Sequence, residues 1–419
     1  MARPPSLVVP ALYLATTAAF ADMYITQPLL PQLSTDFGIS AATAGLTISA
    51  VVLTTAVSSS AYGPLSEVLG RRSLMVWGSL LLALATFACG FAPSFGTLVA
   101  LRGLQGLLVP CISALAVAYI HDDLAGHDAG TVVGGYVAAS VAGGLTGRIV
   151  SGLVADAYGW HAAFGVFAGA TLAGALALAF TLQRGSARPS RVRAMHDLSA
   201  SYAGMWGHLR DARLVGAFAI GAALFFGFIG IFTYLPFYLT AAPFHLTTAA
   251  VAWLYASYLA GVLVSPIAGR LSGTFSKRLV MAAGIAIAMV AMLALLAHAL
   301  IVIVVACVVL CAGMFIAQPV APMFVARTAG EAKASATALY QSFYYLGAVF
   351  GSTLPGLAWE RWAWPGVVWT CVASLVVALL ADLLLCGRVP ARQPELGPVS
   401  PRACRGALVN SGATRQNAS

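Results

Sequence analysis

Apolar residues in this chain gather in long unbroken stretches, separated by charged residues or by glycine and proline. Twelve stand out, at 8–32, 42–65, 73–92, 95–120, 128–155, 161–182, 213–240, 247–270, 278–298, 300–325, 333–357 and 363–386. A hydrocarbon core of roughly 30 Å takes about 20 apolar residues in helical form, so each stretch predicts one membrane-spanning helix. Ten-residue segments of alternating character, the mark of an outer-membrane barrel, do not occur. The expected fold is an all-α membrane protein with twelve transmembrane helices.

Composition agrees: of 419 residues, 60% are hydrophobic and 8% charged, against about a quarter charged in a soluble globular chain. The net charge of +9 raises the question of nucleic acid, but the distribution of Lys and Arg answers to topology. With a cytoplasmic N-terminus, every basic residue falls on a cytoplasmic segment except Arg361, on the far side, and Arg102 and Arg148, inside predicted spans. Both termini are therefore expected in the cytoplasm, with the chain in a bacterial inner membrane and no nucleic-acid partner. The first stretch resembles a secretory signal with Ala19-Phe20-Ala21 as its cleavage site, yet it runs on through Tyr24 to Leu30, so the helix is expected to be retained. The seven cysteines have no metal-ligand spacing, the histidines scatter through loops and span ends, and no Gly-Lys-Ser/Thr phosphate loop exists. No metal, cofactor or enzymatic activity is expected.

The longest polar connection, 183–212, is basic and Ser-rich and divides the chain. It separates an N-terminal six-helix bundle, 1–182, from a C-terminal one, 213–386, followed by a tail, 387–419, too poor in apolar residues to fold. The halves carry an internal repeat. Gly63, Ser66, Arg72 and Met75 recur as Gly269, Ser272, Arg278 and Met281, 206 positions later. Gly143, Gly147, Gly152 and Trp160 recur as Gly347, Gly351, Gly356 and Trp364, 204 positions later, with Asp156 answered by Glu360. Two matches at nearly one offset imply a duplicated six-helix unit, hence two pseudo-symmetric bundles about an axis along the membrane normal.

The stretch Gly63, Leu65, Glu67, Gly70, Arg71, Arg72 resembles the loop signature of the major facilitator superfamily between its second and third helices, with Glu67 and Val68 in place of the usual Asp and base. That resemblance implies that Glu67 and Arg71 latch the two halves when the outside is open; the plainer alternative is a set of topology-setting loop charges. Arg102-Gly103-Leu104-Gln105-Gly106 looks like the family's arginine motif in the fourth helix. Gly143-Gly144-Leu145-Thr146-Gly147-Arg148 resembles its Gly-rich antiporter motif in the fifth, without the following proline. The missing proline departs from bacterial drug/proton antiporters, and the Gly-Gly-x-x-Gly-Arg form is instead similar to sugar-efflux-like, YnfM-type permeases; the resemblance to the superfamily covers nearly all of residues 8–386.

A buried arginine needs a partner or a watery cavity. Counting residues from the span ends places Asp22, Arg102 and Arg148 at similar depth, predicting one polar cluster in which an Asp22–Arg102 pair is a proton switch or, alternatively, a static salt bridge. Small residues four apart predict that Gly143 and Gly147 pack against the other half, with Gly347 and Gly351 making the mirror contact. Tyr24, Gln27, Phe232, Tyr234, Tyr340, Gln341 and Tyr344 are the candidate substrate-binding residues, rings and amides on helices expected to line a central cavity. Two arginines against one carboxylate favour an anionic or polar substrate over a cationic drug. The expected activity is proton-coupled export of a small organic compound by a monomer working by alternating access. Proton-linked uptake or facilitated diffusion of a sugar or organic acid is the alternative, and a non-transporting membrane sensor the rival of another class.

Overall fold

The computed structural model describes residues 7–123, 129–182, 207–330 and 333–387. Most of the expected linker and nearly all of the expected tail lie outside them. No strand occurs among the described residues. Among the described residues, ten segments are long and apolar enough to cross a membrane: Ala41–Leu69, Arg71–Cys89, Phe95–Ile120, Gly130–Tyr158, Trp160–Thr181, Ala212–Thr240, Thr248–Thr274, Lys277–Ala294, Leu300–Thr328 and Ser335–Leu384. Val8–Tyr24 is shorter but apolar, and after a turn over 25–29 it continues as Leu30–Phe37. The last segment holds two spans. Ala363 is non-helical at φ 49°, and a Cβ on Gly366 would come within 2.5 Å of the Ala358 carbonyl oxygen. Eight residues along a straight helix lie about 12 Å apart, so the chain reverses there. The described residues thus make twelve spans, named below by their order in the chain.

Local chemistry sets the boundaries. Gly70 and Gly159 take φ of 82° and 81° and turn the second span into the third and the fifth into the sixth. Ser94, Thr247 and Ser276 accept the backbone N–H of Thr97, Ala250 and Leu279 and so start the fourth, eighth and ninth spans. Leu84, Leu263 and Ile301 are 62%, 74% and 70% exposed, which suits a lipid-facing surface. The seventh span, by contrast, is mostly buried.

Each half repeats the same packing. The first span lies on the fifth and sixth, the second on the fourth, the third on the sixth. Likewise the seventh lies on the eleventh and twelfth, the eighth on the tenth, the ninth on the twelfth. The repeated glycines serve this packing and correct the expectation that they face the other half. A Cβ on Gly143 or Gly147 would strike the carbonyl oxygens of Thr17 and Ala21 in the first span. On Gly347 or Gly351 it would strike those of Ala222 and Phe226 in the seventh. A small-residue stripe marks a close helix crossing without naming the neighbour, and here the close crossing lies within each half. Of the repeated glycines, those that meet the opposite half are Gly152, against Ala252, and Gly356, against Ala42.

The other repeated motif is a clamp. Arg72 donates to the carbonyls of Leu182 (2.8 Å) and Ala179 (2.9 Å) at the end of the sixth span. Its counterpart Arg278 donates to the Asp382 carbonyl (2.9 Å) near the end of the twelfth. The last carbonyls of a helix lack intrahelical partners and carry partial negative charge, so a basic side chain there is stabilising.

Candidate functional site

Two separate polar sites stand where the sequence predicted one cluster. The first is enclosed in the N-terminal half around Asp22, which is fully buried. Its Oδ2 accepts hydroxyl hydrogen bonds from Thr86 on the third span (3.1 Å) and Thr171 on the sixth (2.8 Å). Its Oδ1 has no partner. Gln105 on the fourth span extends the chain, donating to the Thr86 hydroxyl (2.7 Å) and accepting from Arg102 Nη1 (2.7 Å).

Arg102 does not bond to the Asp22 carboxylate, which corrects the expected ion pair. Its guanidinium donates instead to the main-chain carbonyls of Asp22 (2.6 Å), Met23 (2.7 Å) and Thr47 (3.2 Å). Asp22 and Met23 lie in the last turn of Val8–Tyr24, where carbonyls have no intrahelical donor. Arg102 therefore caps a helix that ends inside the bundle, and the carboxylate is left to neutral hydroxyls.

Arg148 lies apart from both, on the seam between the halves, and is 3% exposed. Its Nε donates to Gln27 Oε1 and its Nη1 to the Gly144 carbonyl, each at 2.6 Å. The guanidinium carbon stands 3.7 Å from the ring centre of Tyr24 in its own half and 4.6 Å from that of Tyr258 in the other. Gln27 in turn donates to Thr233 of the seventh span at 3.4 Å. Phe232 backs the site, its ring 4.9 Å from that of Tyr258 and 5.1 Å from Phe228. Of the predicted substrate residues, Tyr24, Gln27 and Phe232 thus converge here.

The others do not. Tyr234 donates to the Ser352 carbonyl (2.8 Å) and packs beside Gly45 and Gly356, a seam contact away from Arg148. Tyr344 stacks on Phe225 (3.9 Å between centroids) and accepts from Gln318 (2.5 Å). Tyr340 is buried with an unpartnered hydroxyl, and Gln341 is exposed. Tyr340 and Tyr344, 6.1 Å apart between ring centres, form with Phe225 a second aromatic group in the C-terminal half.

The halves are joined at the end remote from the described N- and C-terminal residues. Ser49 and Ser352 hydroxyls lie 2.6 Å apart, and Gln32 donates to Thr248 at 2.9 Å. At the other end, a Cβ on Gly63 or Gly70 would meet nothing within 4 Å, and Glu67 is exposed. Arg71 donates to the Ala118 carbonyl (3.4 Å), so both arginines of the loop motif bond carbonyls of their own half.

Sequence reasoning missed Thr86 and Thr171 around Asp22, and it read Gln105 as part of the arginine motif and not as a partner of Thr86. The threonines are ordinary in apolar helices, where a hydroxyl can bond its own backbone, as Thr86 also does to Leu82 (2.8 Å). Only the crossing of the first, third and sixth spans points them at one carboxylate.

Twelve spans in two repeated halves with a polar seam define a secondary-transporter architecture. Residues 12–331 and 240–411 match the profile of the Major Facilitator Superfamily, and the chain belongs to that family of multi-pass membrane transporters. It is 31% identical to the uncharacterized MFS-type transporter YybF of Bacillus subtilis over 371 residues, 88% of this chain and 91% of that one. It is 30% identical to the inner membrane transport protein YnfM of Escherichia coli over 382 residues, 91% of each chain. In fold it is similar to a bacterial homolog of the human lysosomal transporter Spinster in an inward-facing and occupied conformation, with a TM-score of 0.74 at 16% identity over 90% of this chain and 95% of that one.

Proposed function

We propose that the chain is a proton-coupled secondary transporter that exports a small organic compound by alternating access, with substrate at the Arg148 seam and the proton at Asp22. The observation that carries this reading is that Arg148, from one half, lies on tyrosine rings of both, 3.7 Å from Tyr24 and 4.6 Å from Tyr258. A site completed by both halves is remade whenever they rock, so occupancy and conformation are coupled. Asp22 suits proton carriage because one oxygen is free, no guanidinium bonds it, and its two donors are neutral hydroxyls.

With the termini cytoplasmic, the joined end is periplasmic and this state is inward-facing. Glu67, exposed in this state, would then engage the second half only after that end opens. The test is proton movement in inverted membrane vesicles, followed with a pH-sensitive dye while sugars, organic acids and lipophilic drugs are added. Export by antiport requires that one compound release the imposed gradient in native vesicles and not with Asp22→Asn. Substrate flux with no proton movement in either would overturn the coupling, and proton flux with the opposite sign would assign uptake.

A further inference from the structure

We infer that the compound taken by the seam is a monocarboxylate with an apolar or aromatic body, its carboxylate held by the Nη2 edge of Arg148. The inference rests on the reading of that seam as the transport site. Arg148 is buried, yet no carboxylate among the described residues bonds it. Its Nε and Nη1 are spent on Gln27 and Gly144, while Nη2 bonds no carbonyl or carboxylate among the described residues. Tyrosine faces at 3.7 and 4.6 Å stabilise a cation without neutralising it. The seam therefore holds a positive charge whose counter-charge no described residue provides. A second, independent feature points the same way: the Tyr258 hydroxyl is buried with no hydrogen-bond partner, and buried polar groups are nearly always satisfied, here by a bound acceptor.

The number of cations sets the charge of the ligand. Arg102 is fully buried and committed to carbonyls and Gln105, and the chain's lysines, Lys277 and Lys333, start the ninth and eleventh spans. One guanidinium matches one carboxylate, whereas a phosphate dianion calls for further cations or a nest of donors. Phe228 and Phe232, beside Tyr258, offer ring faces for the rest of the molecule. An organic cation would meet like charge at this depth.

The test uses the full chain in lipid nanodiscs and thermal unfolding with benzoate and cyclohexanecarboxylate, set against the carboxamides and methylamines of the same ring skeletons. Binding raises the unfolding temperature. The carboxylates should bind the native chain about tenfold or more tighter than their carboxamides, the value of one charge-assisted hydrogen bond. Arg148→Gln should abolish that preference and Arg148→Lys keep part of it. The native chain alone decides the matter if a variant does not fold. Equal binding of amides or amines, undiminished carboxylate binding by a folded Arg148→Gln, or no stabilisation by any member of the panel would each overturn the inference. Exchange in proteoliposomes separates it from the transporter reading. Carboxylate binding through Arg148 without exchange upholds the ligand class and refutes transport; exchange of neutral or cationic compounds that survives Arg148→Gln refutes the ligand class alone.

Discussion

Arg102 carries its charge where no lipid-facing side chain could, and it bonds to the carbonyls of Asp22, Met23 and Thr47 and to Gln105. Its work is therefore to hold the broken end of the first span against the second and fourth. Arg102→Met leaves those carbonyls without their donor and should cost about 3 kcal/mol of stability, measured as a lowered unfolding midpoint in detergent. A switch with no structural duty would leave that midpoint unmoved. Asp22 predicts the reverse pattern. Asp22→Asn keeps an acceptor for Thr86 and Thr171 and introduces no charge, so stability should stay within about 1 kcal/mol of native while substrate-driven proton movement disappears. Asp22→Ala also strips the two hydroxyls of their acceptor and should cost about 2 kcal/mol in the same unfolding measurement.

At the level of helices, the glycines separate into two kinds. Gly347 and Gly351 face the seventh span with carbonyl oxygens where a methyl group would have to sit. Gly347→Ala should therefore destabilise the fold by about 1–3 kcal/mol and lower the yield of monodisperse protein on size exclusion. Gly63 lies inside the helix Leu46–Leu69, and a Cβ there would have nothing within 4 Å. Gly63→Ala should leave stability unchanged or raise it by up to about 1 kcal/mol, since alanine is the better helix former. If the loop motif seats against the second half in the other state, the same substitution slows transport in vesicles although the fold is intact. Normal transport by Gly63→Ala would remove that role. The paired clamps at Arg72 and Arg278 belong to this scale too: the repeat keeps them because each half must close the end of its own last span.

For the whole molecule, the seam is the moving part. Ser49 and Ser352 hydroxyls are 2.6 Å apart across it, so cysteines at both positions should form a disulfide under mild oxidation, as free-thiol labelling would report. Cross-linking should stop transport and reduction restore it. Undiminished transport by fully cross-linked protein would rule out alternating access across this contact.

The twelve spans, the duplication and the family were legible in the sequence because lipid imposes its length and polarity rule on each segment separately, without reference to any other. Asp22, Arg102 and Arg148 were legible as residues that must be buried for a reason, since charge in an apolar span is costly wherever the span lies. What the tertiary structure alone decided is which groups meet. Residue counting put the three charges at one depth, but depth says nothing of rotation about each helix axis. Rotation turned Asp22 toward Thr86 and Thr171 inside one half and Arg148 toward Tyr258 of the other. The glycine stripe likewise announced a close crossing without a partner. Partition into lipid is a property of each segment, written locally in its residues; pairing depends on how twelve segments share one volume, and that is fixed only when they pack.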